Sequence, residues 1–143
     1  MTSTGNRKNS KHTGDVTEAR AVFELTRAGH TVAVPFGDND GYDLLVEVDA
    51  GFLRVQCKTA WSLDSRVIRF NTHSQTTTDG EYHERTYDGE VDAFFVRYPA
   101  TGTCYWVDID EVSGHSMDLR EDANIDHPSI NWAEEYEFDG SIP

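Results

Sequence analysis

Asp43, Gln56 and Lys58 fall on two neighbouring apolar runs, "YDLLVEV" and "FLRVQCKTA", joined by "DAG". Strand side chains alternate, so Gln56 and Lys58 share one face with Phe52 and Arg54, and Leu53, Val55, Cys57 and Thr59 share the other. Pairing of the two runs as a hairpin brings Asp43 close to Gln56 and Lys58. A second acid, Glu18, precedes Val22 by four and Leu25 by seven on a helix-like stretch, which sets it beside the inward stripe. These residue types suit phosphodiester hydrolysis. A hard cation, Mg²⁺ or Mn²⁺ in its place, takes oxygen ligands. The Asp43 carboxylate, the Gln56 amide oxygen and the Cys57 backbone carbonyl can supply them, with Glu18 holding a second ion or a bound water. The cation lowers the pKa of its water. Lys58 can then orient the attacking water or offset charge on phosphorus.

Plainer readings stand beside this one. Asp15-x-x-Glu18 fits a capping box, which explains Glu18 without catalysis. Asp43 can cap the "DNDG" turn through backbone amides. Lys58 and Asp43 can form an ion pair, although a buried pair is weak evidence for stability. Lys58 is one of three lysines, and the other two, Lys8 and Lys11, precede the first apolar residue of the helix-like stretch.

The elements that must position these residues follow from periodicity. "DVTEARAVFELTRAG" predicts a helix over 15–29, with Val16, Ala19, Val22, Phe23 and Thr26 as its stripe and Gly29 as its stop. "HTVAVPFG" reads as a short edge strand because of Pro35. "RVIRFN", "VDAFFVRYP" and "TCYWVDI" read as further strands, the last two joined across "ATG". "DEVSG" suits one helical turn, and "INWAEEYEF" is expected to dock Trp132 and Tyr136 on the body. Residues 71–90 are polar, rich in hydroxyls and without period, and read as a long functional or mobile loop. A helix followed by several strands predicts a mixed α/β or α+β fold. Residues 1–13 read as a flexible lead and 14–143 as a single domain.

Composition narrows the class. The 143 residues carry 26 acids and 12 lysines plus arginines, a net charge of −14. Scattered carboxylates with little lysine are expected of a protein in concentrated salt, where self-repulsion is screened; an acidic domain at ordinary salt is the alternative. The charge counts against nucleic acid as a partner at low salt, and less so when salt is high. Cys57 and Cys104 match no zinc spacing and read as free thiols. No signal-peptide core or membrane span is legible, so a cytoplasmic location is expected.

Glu18, Asp43 and Gln56-x-Lys58, on helix, strand and strand, resemble the PD-(D/E)XK nuclease superfamily. The stretches "GDVTEARAVFELTRAGHTVAVPFGDNDGYDLLVE", "RVQCKTA", "RFNTHS", "YDGEVDAFFV" and "WAEEYE" are similar to the group I intron-encoded homing endonucleases of that superfamily in cyanobacteria and their archaeal relatives. The likeness runs from about Gly14 to Tyr136. It implies a mixed β-sheet flanked by helices, a Mg²⁺-dependent endonuclease, a double-stranded DNA substrate and a homodimer or homotetramer. The composition adds a halophilic archaeal source. The superfamily's usual acid before x-Lys is Gln56 here, as in that homing branch, which removes one negative charge from the metal site. A junction-resolving nuclease acting on branched DNA shares the fold, and a non-catalytic DNA-binding module is a third reading. Arg54, Asn71, His73, Ser74 and Arg85 are the candidate DNA contacts.

Overall fold

The computed structural model describes residues 9–37, 41–78, 81–86, 89–122 and 129–142, with the side chains of Asn9 and of 74–86 outside that description. Helix α1 spans Asn9–Arg27. It closes where glycine permits a left-handed residue: Gly29 has φ 98°, the His30 N–H donates to the Leu25 carbonyl (3.0 Å), and the Gly29 N–H donates to Thr26 (3.0 Å). That paired closure is a Schellman motif.

The start of α1 differs from expectation. Residues 9–13, read as part of a flexible lead, are helical. Asp15 and Glu18 therefore lie inside the helix, and a capping box does not explain Glu18. The inward stripe differs as well. Thr17, Ala21, Glu24 and Leu25 are buried, while Val16 and Phe23 are exposed, at 39% and 55%. Apolarity alone pointed to the wrong stripe. The buried face includes Thr17, whose hydroxyl bonds that of Thr59 at 2.6 Å, and Glu24, which two arginines neutralise.

Ten strands follow: β1 Val32–Ala33, β2 Leu44–Val48, β3 Gly51–Thr59, β4 Trp61–Asp64, β5 Val67–Asn71, β6 His73–Thr78, β7 Glu81–Thr86, β8 Ala93–Tyr98, β9 Thr103–Asp108 and β10 Ser116–Arg120. The main sheet has the order β1-β2-β3-β8-β9. It is mixed, because β3 pairs parallel with β8 while β2–β3 and β8–β9 are antiparallel. Strand β8 explains the layering. All of Ala93–Val96 is buried, as expected of a central strand covered on both faces. Ala93 and Phe95 join the cluster under α1, with Ala21, Leu25, Leu44, Val46 and Val55. Phe94 and Val96 join the other, with Ile68, Phe70, Met117 and Leu119. Each buried Phe contributes about 2–3 kcal/mol of apolar transfer.

The second cluster shows what covers the sheet's other face. α1 is the only α-helix among the described residues, and the opposite face is covered by a three-stranded sheet, β10-β5-β4. The segment expected as an aperiodic loop holds β6 and β7, paired antiparallel from His73↔Thr86 to Thr78↔Glu81. Its threonines suit strand geometry. Two residues, Asp79-Gly80, separate the strands, and that dipeptide is a strong hairpin signal which the polar sequence around it masks. The "DEVSG" turn appears as a single 3₁₀ turn, Ile109–Glu111. A second, Ala133–Tyr136, buries Ala133 and packs Tyr136 against the core.

Candidate active site

The site forms where β2 stops short of β3. Leu44 pairs with Val55, and the Asp43 N–H still donates to the Val55 carbonyl at 2.8 Å. Beyond that point β3 has no backbone partner on this edge. The Asp43 carboxylate takes its place, accepting the Cys57 N–H at 2.8 Å. Asp43 thus caps a strand edge; residues 38–40 of the "DNDG" turn, which the sequence offered it as a cap, lie outside the described set. Gly41 allows the close approach just before it. A Cβ there would sit 2.6 Å from Glu90 Oε2.

Three charged groups meet at this gap. Glu18 approaches from α1. Burial, then repulsion from Asp43, pushes its carboxyl above the usual range. Asp43 is half-buried, and burial raises its carboxyl too, against the Cys57 N–H and Lys58, which lower it. Lys58 enters from the opposite face of β3. Burial brings its pKa down to about 8, with Asp43 opposing the fall, and its Nζ donates to the His73 carbonyl at 3.2 Å. Asp43 acts on both, raising the Glu18 carboxyl and opposing the fall of Lys58.

The remaining expected residues fall out differently. Gln56 is half-buried on the Lys58 face, one residue past the last β2–β3 pair, Leu44↔Val55. The Cys57 thiol is pushed well up by burial, then by Asp43 and Glu18. It stays neutral, so only its backbone carbonyl is a candidate ligand. The two cysteines are free, as expected. Arg54 is already engaged: Nε and Nη2 donate to Asp92 at 3.2 Å each, and Nη1 donates to the Gly89 carbonyl at 2.9 Å. Asp92, which the sequence reading missed, also accepts the Arg54 N–H at 2.8 Å. His73 is turned inward at 6% exposure, with Nδ1 2.6 Å from the His115 carbonyl. Its side chain is therefore not offered to solvent as a phosphate contact. Asn71 ends β5 opposite Ser116. Ser74 and Arg85 face each other across the β6–β7 ladder, and their side chains lie outside the described set.

A donor set of two carboxylates, one amide and one strand carbonyl is all oxygen, which fits a hard divalent cation. Two half-buried carboxylates, of which Asp43 raises the pKa of Glu18, also fit, because a cation relieves that repulsion. The set is sparse. Among the described residues no three acids, histidines or cysteines converge on one point, so Gln56, water and substrate oxygens must complete the shell.

The PD-(D/E)XK endonuclease family profile matches residues 8–139. The chain belongs to the PD-(D/E)XK endonuclease family. The fold agrees. A solved structure, the bacterial homing endonuclease I-Ssp6803I, superposes with a TM-score of 0.74 at 23% identity, over 89% of this chain and 87% of that one. No curated protein sequence matches significantly. No helix among the described residues is long and apolar enough to cross a membrane.

Proposed function

We propose that this family member is a divalent-metal-dependent DNA endonuclease, with Mg²⁺ as the working ion. The observation that carries the reading is the Glu18–Asp43 pair, two carboxylates held against each other at a broken strand edge with the ammonium of Lys58 on the far side. Asp43, Glu18, the Gln56 amide oxygen and the Cys57 carbonyl would hold the ion. When bound, it supplies Lewis-acid polarisation of the phosphoryl oxygen and a water of lowered pKa. The chain's own residues do the rest. The Cys57 N–H fixes one oxygen of Asp43, so the other oxygen faces the ligand. The His73 carbonyl aims Lys58, whose charge in a half-buried setting opposes negative charge growing on the phosphate. Duplex cutting on both strands needs two such sites, so a homodimer or homotetramer goes with this reading.

The test is incubation with duplex, nicked, single-stranded and four-way-junction DNA, with and without Mg²⁺ or Mn²⁺, from low to molar KCl. Duplex cleavage that needs the cation supports the homing-like reading. Preference for the junction moves it to the resolving class. The salt series also tests whether the charge of −14 suits work in concentrated salt. A second reading, a DNA-binding module without catalysis, draws on Gln56 and the sparse donor set. Titration calorimetry with Mn²⁺ separates the two: no heat of binding, with or without DNA, favours the module.

A further inference from the structure

The inference rests on the functional reading above and extends it to the DNA backbone. Positive charge is unevenly placed in this acidic chain. Residues 1–14 hold Arg7, Lys8 and Lys11 and no carboxylate, whereas all 26 acids follow. The end of this segment is built into the fold, since α1 begins at Asn9. Arg97 on β8 fastens it. Arg97 Nε donates to the Thr17 hydroxyl at 2.9 Å and Nη2 reaches the Thr13 carbonyl at 3.4 Å. Burial lowers the Arg97 pKa, and no ion pair to a described residue offsets it. A desolvated guanidinium spent on two neutral oxygens needs a reason, and holding the first turns of α1 against the sheet supplies one.

Those turns present Lys11. It lies two turns ahead of Glu18 on nearly the same side of the helix, and its charge reaches Glu18, where it lowers the carboxyl's pKa. Lys11 is exposed. Arg20, Arg27, Arg54 and Arg69 are each committed to a carboxylate, and Lys11 forms no such pair with a described residue. We propose that the first turns of α1, fastened by Arg97, form a DNA-backbone contact in which Lys11 binds a phosphate a few nucleotides from the scissile one. A compact ammonium suits a phosphate as a point charge. On a surface that otherwise repels DNA, such a contact sets where the backbone lies relative to Glu18 and Asp43. Arg97 is a positioning residue in this scheme.

The test uses the full chain and a fluorescein-labelled random-sequence duplex, because phosphate contacts supply nearly all non-specific binding. Anisotropy without divalent cation, over a KCl series, gives affinity and its salt slope. Lys11→Gln should weaken binding about three- to tenfold and flatten the slope of log K against log salt by about 1. Lys11→Arg should restore both. Single-turnover cleavage at subsaturating protein should fall for Lys11→Gln by about the same factor as the affinity. Arg97→Gln should speed amide exchange over residues 10–17 and weaken binding with Lys11 intact; unchanged protection and affinity would remove its part. A Lys11→Gln protein with the parental affinity and slope overturns the inference while leaving the nuclease reading in place. A parental protein that neither binds nor cuts any duplex overturns both.

Discussion

Glu18 and Glu24 lie less than two turns apart on one helix, and their surroundings are opposite. Glu24 is buried at 9% exposure between two arginines, Arg20 Nε at 2.7 Å and Arg27 Nη2 at 2.6 Å. The hydrogen bond from Arg20 leads in holding its carboxyl below the usual range. Glu18 faces another carboxylate, and its carboxyl is held above that range. The first arrangement lowers the energy of the folded chain. The second raises it, and persists because the scaffold enforces it. On the proposed function, like charge at a half-buried gap is where the cation binds, and it separates Glu18 from Glu24 where burial alone does not.

The comparison is most easily broken through cleavage. Asp43→Ala or Lys58→Ala should slow single-turnover DNA cleavage by about 10³-fold or more, with duplex binding retained in an anisotropy assay. A Lys58→Ala protein that cuts at the parental rate would remove the assigned mechanism. Glu24 should behave in the reverse sense. Glu24→Ala is expected to lose about 1–3 kcal/mol in urea unfolding, because the carboxylate that collects both arginines is gone, while the folded fraction cuts within about twofold of the parent. Equal losses of rate from Glu24→Gln and Glu18→Gln would erase the distinction.

Smaller effects sharpen it. Mg²⁺ or Mn²⁺ at tenfold excess over its dissociation constant should stabilise the protein by about 1.4 kcal/mol. Differential scanning calorimetry should show that gain for the parent and none for Asp43→Asn. The metal-free pair should also show a pH signature. A carboxyl whose folded pKa is raised contributes stability below its unfolded pKa and loses that contribution as pH rises through the folded value. At neutral pH the ionised pair therefore costs stability. Glu18→Gln should raise the metal-free Tm there by a few degrees, corresponding to about 1 kcal/mol or less, and the gap should close towards acid pH. A Tm that falls at neutral pH would show that Glu18 is stabilising after all.

Much of this was readable from the chain where the deciding contacts are local. The hairpin around "DAG" and the stop at Gly29 are set by alternation and by one residue's conformational freedom. The meeting of Asp43 and Lys58 followed from strand parity. What escaped depends on distant partners. The polar residues Asn9–Gly14 carry no helical period of their own, and the groove-side clamp on them comes from Arg97, 84 residues away from Thr13. The inward turn of His73 depends on the His115 carbonyl, 42 residues on. Arg54 looked free because Asp92 is invisible from its own strand. The β6–β7 hairpin escaped because its polar sequence has no apolar alternation to announce it.

The parallel pairing of β3 with β8 has a wider consequence. Cys57 stands beside Phe95, so everything from Ala60 to Asp92 is an excursion that leaves the main sheet and returns to it. Asp43, Gln56 and Lys58, the residues proposed to act, all precede it. Lengthening such a detour is cheap, about 0.6 kcal/mol for each doubling. Length can therefore be added at the far end of β6–β7, away from the His73 carbonyl that holds Lys58, without moving β3 or β8.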